Sequence, residues 1–475
     1  MECDNHSFNR RRFLASCALG VTGAAMGGGA SAVMGGCSPQ ATTDWAMAFR
    51  RYGRGPESPA WAAVRRQFLL EPGYCYFNTG GLGPSPRTVV DAVNHEMCAL
   101  EACSESGHPR IGEIREKMCR FINCEQDELA FTRSTTEGMN TIARGLALEA
   151  GDEVLLSTHE HPGGAMPWFA LARDRGVTVR TFELGGSSDE TLQQMIAGIN
   201  DRTRVISVSH VTCTTGAVLP VKRIAALCRE RGLVCVVDGA QAVGMVPVDV
   251  HGLGCEFYAA SGHKWMLGPK GTGMLFVRRA MLDRWRAPFV GAYSDERYDL
   301  DGGVFEALGA ARAAEYGTRN VPLIVGLGAA VEFLEMIGME AIGRYTRSLV
   351  RQLRDRLGRM SGVEVLTPQQ PGASASILTV RIGGAQMDPW RWAGELRRRY
   401  RIRTRPVGEH GLNALRVSLH LFNSARQVER LVVALGEMLD EEAKMGRLKR
   451  AGSKMRRGQE THGLHHLMSR SCPAS

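Results

Sequence analysis

Short apolar runs alternate with helical patterns from about Glu128 to Val277, and this alternation constrains the fold more than any other feature of the chain. Such runs are typical of buried parallel strands that are joined by helices. The pattern therefore predicts an α/β fold with a large, doubly wound, mainly parallel sheet. Ligands bind such sheets at the carboxyl ends of the strands, so the residues that follow each apolar run are candidates for a functional site.

Two charged residues follow apolar runs in an order that indicates chemistry. Asp238 ends the run in LVCVVDGAQAVG, and Lys264 follows the run in FYAASGHKWMLG. A buried amine loses proton affinity, and a neutral amine forms a Schiff base with a carbonyl group. Pyridoxal phosphate needs such a lysine for its aldehyde and an acid that keeps its pyridine nitrogen protonated. Either residue alone fits a loop or a helix cap, but the pair in this order favours a pyridoxal phosphate site.

The other needs of this cofactor direct attention to two further segments. Its phosphate group requires backbone N–H groups at a helix N-terminus, and Ser134-Thr135-Thr136 precedes a helical pattern, although STTE is also an ordinary capping box. In THEHPGG, His161 is the candidate for stacking on the ring. His159 and His161 could instead bind a metal, but no nearby cysteine or carboxylate pair completes a zinc set, so we expect no metal.

Eight short segments occur in the order that is found in a known enzyme family. The chain resembles a class V aminotransferase-fold enzyme, in the branch with isopenicillin N epimerase-like proteins and cysteine desulfurases, from about Tyr74 to about Leu439. The segments are YFNTGGLGPSP, FTRSTTEGMN, EHPG, SHVTCTTG, VVDGAQAVG, SGHKW, EYGTRN and LRVSLHLFN. The resemblance implies pyridoxal phosphate fold type I, in which a large doubly wound domain is followed by a smaller α+β domain.

The resemblance also implies a role for each matching residue around the cofactor. Lys264 would hold the cofactor aldehyde and act as the catalytic base, and Asp238 would contact the pyridine nitrogen. Gln241 would hydrogen-bond the phenolic oxygen, and His161 would stack on the ring. The residues expected around the phosphate are Thr135, Thr136, Ser261 and His263.

Three further residues carry implications for substrate and assembly. Arg416 of LRVS would bind the substrate α-carboxylate, a task that suits the planar guanidinium group. Asn78 of FNTGG would border the substrate pocket. Thr318 of GTRN would reach the phosphate from the neighbouring subunit, which implies a homodimer with shared active sites.

Two departures from the family pattern bear on the reaction. Cys213 stands where relatives often carry Asn or Ser near the phenolic oxygen, and a thiol is a weaker hydrogen-bond donor. Cysteine desulfurases need a nucleophilic cysteine before the carboxylate-binding arginine, and no cysteine lies between Arg405 and Arg416. We therefore do not expect sulfur extraction by the persulfide route.

A transaminase is the expected enzyme, because the sequence shows no second base for the opposite face of Cα. An epimerase or a lyase that eliminates a β-substituent, including C–S cleavage, remains the alternative within the family. A non-enzymatic exported binding protein of the same fold is disfavoured by the presence of both Lys264 and Asp238. The substrate would be an amino acid or a peptide-like amine.

The N-terminal residues predict export. Arg10 and Arg11 in NRRRFLA, followed by a weakly apolar Gly/Ala-rich stretch, resemble a twin-arginine signal, which implies the twin-arginine export machinery as a partner and a periplasmic location. Ala30-Ser31-Ala32 is a site for ordinary cleavage and release, which we favour. The alternative is a poor lipobox that would leave a lipid anchor on Cys37.

The predicted organisation has five parts. They are a signal region (1–37), an N-terminal segment (38–73), the large cofactor domain (74–335), the small domain (336–442) and a basic disordered tail (443–475). From Lys444 onward the tail holds eight lysines and arginines and one glutamate, a charge of +7 out of a net +9. The remaining chain is close to neutral, so nucleic acid is not an expected partner.

Overall fold

The strands of the protein form one large sheet, one smaller sheet and two strand pairs in the computed structural model, which describes residues 55–444 together with Met47 and Phe49. The strands are β1 (Cys75–Tyr76), β2 (Leu129–Thr132), β3 (Glu153–Ser157), β4 (Thr178–Phe182), β5 (Thr203–Ser209), β6 (Val234–Asp238), β7 (Phe257–Ser261), β8 (Gly273–Val277), β9 (Asp295–Asp299), β10 (Val304–Ala307), β11 (Val363–Val365), β12 (Ile377–Ile382), β13 (Ile402–Arg403), β14 (Arg405–Val407) and β15 (Ala414–Ser418).

Helices connect most of these strands. They are α1 (Ala60–Arg65), α2 (Arg87–Cys103), α3 (Arg110–Ile122), α4 (Thr135–Gly145), α5 (Pro162–Arg175), α6 (Ser188–Gly198), α7 (Val221–Glu230), α8 (Val250–Leu253), α9 (Val321–Ile337), α10 (Met339–Leu357), α11 (Pro389–Tyr400) and a last helix, α12, over residues 425–444. The twin-arginine segment, Cys37 and all but the first two residues of the predicted basic tail lie outside the described residues.

The large sheet has seven strands in the order β2-β8-β7-β6-β5-β3-β4. Strand β8 runs antiparallel to β2 and to β7, and the other pairings are parallel. Helices α4, α5, α6 and α7 lie between successive strands, so the α/β prediction with a mainly parallel sheet is confirmed. The register places Ser209 opposite Asp238 and Asp238 opposite Ala259, so that β5 and β6 end side by side and β7 extends two residues further.

The smaller sheet is antiparallel, with the order β11-β12-β15-β14. Strand β1 pairs with β13 in parallel, and Ser418 at the end of β15 donates its amide to the carbonyl of Phe77 at 2.8 Å. These contacts bring the segment after β1, including Asn78, beside the strand that carries Arg416. The small sheet therefore supplies one wall of the predicted substrate pocket.

Helices α9 and α10 follow each other along the chain with one residue, Gly338, between them. Gly338 has a φ of 91°, and the two helices on either side of it, α9 and α10, are bent by 77°. Glycine enters this region of φ without the steric cost of a Cβ, so the break occurs there. Among the described residues no single helix is long and apolar enough to cross a membrane, and α9 and α10 satisfy that test only as a bent pair.

Candidate active site

Lys264 lies in the turn after β7, where the chain makes a close backbone contact with another segment. The amide of Gly83 donates to the carbonyl of His263 at 2.8 Å, and a Cβ at residue 83 would lie 1.9 Å from the carbonyl oxygen of Lys264. Burial lowers the pKa of the Lys264 amine, although the charge of Asp238 acts in the opposite direction. A lowered pKa increases the neutral fraction of the amine, the form that bonds to an aldehyde.

Asp238 ends β6 and is only 4% exposed. Its Oδ1 accepts a hydrogen bond from the amide of Ala240 at 2.9 Å. Burial raises the pKa of Asp238, while the positive charge of Lys264 and the Ala240 amide lower it. The other carboxylate oxygen faces Gly164, where an added Cβ would lie 2.8 Å away. A pyridinium nitrogen would add a further positive partner to this buried acid.

His161 is the N-cap of α5, and its Nδ1 accepts a hydrogen bond from the amide of Gly163 at 3.0 Å. Burial and the positive charges of Lys264, Arg405 and Arg416 lower its pKa to about 4. The ring is therefore neutral near pH 7, which suits stacking on an aromatic cofactor. His159 points elsewhere, since its Nδ1 is 2.7 Å from Thr214 Oγ1.

The expected phosphate site lies where α4 begins beside the end of β7. The hydroxyls of Thr135 and Ser261 are 2.7 Å apart, and the Thr135 amide donates to the Ser261 hydroxyl at 3.2 Å. Thr136 is exposed on the same helix turn. Its hydroxyl lies against Gly163, since a side chain at residue 163 would bring its Cβ within 2.3 Å of Thr136 Oγ1. His263 donates Nδ1–H to the carbonyl of Thr272 at 3.0 Å. The positive end of a helix, with hydroxyls nearby, favours phosphate binding.

Arg416 is 1% exposed, and its contacts leave one buried donor from which an anion could accept a hydrogen bond. Its Nη1 donates to the carbonyl of Cys213 at 2.8 Å, and its Nη2 donates to Asn78 Oδ1 at 3.1 Å. Among the described residues its buried Nε has no hydrogen-bond partner. Burial lowers the pKa of Arg416 to about 10, so the group remains charged near neutral pH. An unpaired buried donor is costly, and a substrate carboxylate would remove that cost.

Gln241 is buried between the large sheet and the segment after β1. Its Nε2 donates to the carbonyl of Gly80 at 2.9 Å, and its Oε1 accepts from Trp265 Nε1 at 2.8 Å. A Cβ at residue 80 would lie 2.8 Å from Gln241 Oε1 and 3.0 Å from Arg416 Nη2. One amide hydrogen of Gln241 is left by these contacts for the predicted phenolic oxygen.

Thr318 is predicted to bind the cofactor phosphate, but no described contact connects it to the other predicted cofactor-binding residues. It is exposed and lines a cavity together with Thr132, Arg133 and Thr272. Neither Lys264 nor Asp238 is among the residues that line this cavity. Its expected role in the site of a neighbouring subunit stays a prediction.

Cys213 is buried, and its carbonyl oxygen rather than its thiol contacts Arg416. Burial raises the pKa of the thiol, although Arg416, Arg405 and Lys264 oppose this effect. The thiol therefore lies within electrostatic range of Lys264 but is protonated near neutral pH, a poor state for a nucleophile.

Sequence reasoning did not assign a function to Glu160, which lies between the two histidines of the HEH segment. Glu160 Oε1 accepts hydrogen bonds from the Ser157 hydroxyl at 2.5 Å and the Ser209 amide at 3.0 Å, and its Oε2 accepts from the Ser209 hydroxyl at 2.6 Å. Burial raises its pKa to about 7. The signal was available in part, because serine ends two of the apolar runs, but their pairing with Glu160 depends on the strand order.

The residues present fit pyridoxal phosphate. Lys264 and Asp238 interact electrostatically, and the Nε donor of Arg416 has no partner among the described residues. Three glycines keep space open beside the site: a side chain at Gly80 would contact Arg416, one at Gly163 would contact His161, and one at Gly164 would contact Asp238. When bound, this cofactor withdraws electrons from the Cα of an attached amine.

The fold and this site define a class of protein, the fold type I enzymes that depend on pyridoxal phosphate. The chain belongs to the Aminotransferase class-V family, whose sequence profile matches residues 76–431. It is 34% identical over 404 residues to isopenicillin N epimerase from Amycolatopsis lactamdurans, covering 80% of this chain and 98% of that protein. Pyridoxal phosphate is therefore its cofactor.

Two solved structures support the same assignment. The apo structure of cysteine desulfurase from Thermococcus onnurineus NA1 has a TM-score of 0.72 and 25% identity, with 80% of this chain and 98% of that chain covered. A C-DES mutant with glycine covalently linked to the pyridoxal phosphate cofactor has a TM-score of 0.71 and 26% identity, with 78% and 98% covered.

Proposed function

We propose that the protein is an exported transaminase that uses pyridoxal phosphate and acts on the amino group of an amino acid or peptide-like metabolite. The observation that carries the proposal is Lys264, a buried amine of lowered pKa that interacts with Asp238 and Arg416. Transamination requires one base that removes a proton from Cα and returns it to another carbon on the same side. A single lysine satisfies that need.

Each neighbouring residue has a defined task in this proposal. Arg416 binds the substrate α-carboxylate through Nε and Nη2, and Asn78 holds the guanidinium group in place. Asp238 holds a positive charge at the ring nitrogen, and His161 covers one face of the ring as a neutral group. Lys264 moves the proton. Orienting the substrate carboxylate in this way also fixes which bond of Cα faces the lysine.

An epimerase is the second candidate, and the 34% identity to isopenicillin N epimerase favours it. Epimerisation differs in requiring proton return to the opposite face of Cα. The test incubates purified protein with amino acids and peptides in deuterated water and follows both 2-oxo acid formation and Cα chirality. A transaminase produces 2-oxo acid and transfers the amine to an added acceptor. Deuterium exchange with loss of chirality and without 2-oxo acid would establish the epimerase instead.

Sulfur extraction from cysteine is not part of the proposal. The loop between β14 and β15 contains no cysteine, and the thiol of Cys213 is buried and protonated. Incubation with free cysteine should give neither persulfide nor alanine in quantity. Abundant alanine that disappears in Cys213→Ser would overturn this conclusion and support the lyase alternative.

Cofactor attachment is tested separately from turnover. Borohydride reduction followed by peptide mapping should place a pyridoxyl group on Lys264, and Lys264→Ala should lose both the label and all turnover. A visible absorbance band from the purified protein would show that the cofactor is bound, and turnover of an amine would then distinguish an enzyme from a non-enzymatic binding protein of the same fold. A label on another lysine would contradict the assignment of Lys264.

The proposal includes a homodimer in the periplasm. Phe289, Val290 and Tyr293 are exposed apolar side chains. Phe289 lies close to the cavity that contains Thr318, since its ring is 6.0 Å from that of Tyr316, which lines the cavity. Exposed apolar surface of this kind is typical of subunit contacts. Export through Arg10 and Arg11 is part of the same proposal, with a lipid anchor at Cys37 as the alternative to release.

A further inference from the structure

Two arginines lie directly opposite each other at the substrate side of the site. The antiparallel register of β14 and β15 pairs Arg405 with Arg416. Residues that are opposite in an antiparallel pair place their side chains on the same face, with Cβ atoms about 5 Å apart, and like charges there are destabilising. Such a pair persists only where anions compensate for it.

The described contacts supply one carboxylate for these two guanidinium groups. Glu409, in the loop after β14, forms an ion pair with Arg405. Burial raises the pKa of Glu409, but Arg405 and Arg416 outweigh that effect, and the pKa lies below its ordinary value. The partners of Arg416 are the neutral oxygens of Cys213 and Asn78. One positive charge is therefore left without a counter-charge among these contacts.

Arg405 also remains accessible, unlike Arg416. Its side chain is 24% exposed and that of Glu409 is 26% exposed, whereas Arg416 is 1% exposed. Arg405 lowers the pKa of Lys264 and of His161, which is consistent with its facing the same pocket. A guanidinium group at the pocket that is held by a single, partly exposed carboxylate can exchange that carboxylate for another.

We propose that Arg405 is a specificity-determining residue that binds a second carboxylate of the substrate. This inference rests on the proposed function, in which Arg416 binds the α-carboxylate of an amine. The substrate class is then an amine with two carboxylates, and Glu409 occupies Arg405 when no such substrate is bound. Binding of the second carboxylate displaces Glu409 from Arg405.

A surface ion pair would show the same contact between Arg405 and Glu409, so the test must separate the two roles. Isothermal titration calorimetry with succinate, glutarate and adipate, and with butyrate as the one-carboxylate probe, measures binding without any reaction, because these acids lack an amine. Both the holoenzyme and the cofactor-free protein are titrated. The deciding quantity is the ratio of the dissociation constant of butyrate to that of the best dicarboxylate.

In the wild type we expect this ratio to be at least tenfold. Arg405→Gln should reduce the ratio to within twofold of one. Glu409→Gln should increase the ratio, because Arg405 then has no competing carboxylate. Arg120→Gln removes an exposed arginine that also pairs with a glutamate four residues away, Glu116, and should leave the ratio unchanged. The increase of this ratio in Glu409→Gln is a gain in dicarboxylate binding, which a folding defect would not produce. The Glu409→Gln variant therefore tests the proposal even if Arg405→Gln folds poorly.

A wild-type ratio near one, or a ratio that survives in Arg405→Gln, would overturn the inference. Failure of the proposed function has a different signature. If no amine is turned over but dicarboxylates still bind through Arg405, the second-carboxylate site at Arg405 is supported and the transaminase assignment is wrong. If amines with one carboxylate are turned over as well as those with two, and Arg405→Gln does not change this turnover, the second-carboxylate site is wrong and the enzyme assignment is supported.

Discussion

The carboxylate of Glu160 accepts a hydrogen bond from the hydroxyl of Ser209 at 2.6 Å, and Ser209 lies opposite Asp238 in the register of β5 and β6. Two further hydrogen bonds, from Ser157 and from the Ser209 amide, complete the contacts of Glu160. The residue therefore ties the loop that carries His161 to the ends of β3 and β5. Its burial raises its pKa to about 7, and the nearby charge of Asp238 acts in the same direction.

This raised pKa makes stability depend on pH. Between the ordinary value of 4.5 and about 7 the folded protein binds more protons at Glu160 than the unfolded chain does, so this contribution to stability is complete at low pH and is lost as pH rises through that window. Glu160→Gln cannot ionise and should not show this loss. Relative to the variant, the wild type should lose on the order of 2 kcal/mol of unfolding free energy between pH 5 and pH 8.

Urea unfolding at pH 5, 6, 7 and 8 measures this difference, with the exposed Glu116→Gln as the control. Because Gln keeps the size of the side chain and can still accept from Ser157, a general packing defect would lower stability equally at every pH. Parallel profiles for the wild type and Glu160→Gln would contradict the assignment of the raised pKa.

A methyl group at residue 164 should weaken cofactor binding. The added Cβ would lie 2.8 Å from Asp238 Oδ2, closer than a carbon–oxygen contact allows, so Gly164→Ala should displace the carboxylate expected at the pyridine nitrogen. We expect the dissociation constant of pyridoxal phosphate for the cofactor-free protein to rise about tenfold or more, equivalent to about 1.4 kcal/mol. The measurement is a titration followed by absorbance.

Gly112→Ala is the matched control, because Gly112 is also helical and an added Cβ there meets no atom within 4 Å. That change should leave cofactor binding unchanged and stabilise the helix by up to about 1 kcal/mol. Unchanged cofactor affinity in Gly164→Ala would show that Asp238 tolerates displacement or does not contact the cofactor.

The large sheet could be predicted from sequence because its strands are buried on both faces and appear as continuous apolar runs. Asp238 and Lys264 were found for the same reason, since Asp238 ends one such run and Lys264 comes shortly after another. The strand pair β9 and β10 gave no such signal, because the segment Asp295–Asp299 is polar and exposed. The bend at Gly338 gave no signal either, since apolar residues continue on both sides of it.

Relationships that depend on register could not be predicted at all. Arg405 and Arg416 are eleven positions apart, and only the length of the loop between β14 and β15 decides whether they face each other. Likewise, Glu160 meets Ser209 because β3 and β5 are neighbours in the sheet, although a strand and two helices separate them along the chain. A single sequence carries local periodicity but not strand order.

Export is predicted to fail when both arginines of the signal are replaced. The double change Arg10→Lys and Arg11→Lys keeps the positive charge but removes the pair that the twin-arginine machinery recognises. The protein should then remain in the cytoplasm, folded and holding its cofactor, as shown by fractionation and absorbance. Periplasmic protein in the double variant would refute the assignment, and a shift from membrane to soluble fraction in Cys37→Ala would establish the lipid anchor.

Mixed dimers test whether active sites are shared between subunits. Lys264→Ala destroys the site of its own subunit, whereas Thr318→Asp should destroy the neighbour's site, because a carboxylate beside the phosphate repels it. Each variant alone should be inactive. When the two are mixed and allowed to exchange subunits, half of the dimers combine both, and each of these has one intact site. Activity should therefore return to about a quarter of the wild-type value.

The control for this experiment uses Asp238→Ala in place of Thr318→Asp, because Asp238 serves the same active site as Lys264 of its own subunit. Mixing Lys264→Ala with Asp238→Ala cannot restore a site, because both residues serve the same subunit and interact there. Differently tagged subunits verify by native mass spectrometry that mixed dimers form. Recovery only in the pair that contains Thr318→Asp supports shared sites. If verified mixed dimers stay inactive, or if Thr318→Asp alone keeps full activity, Thr318 does not reach across the interface.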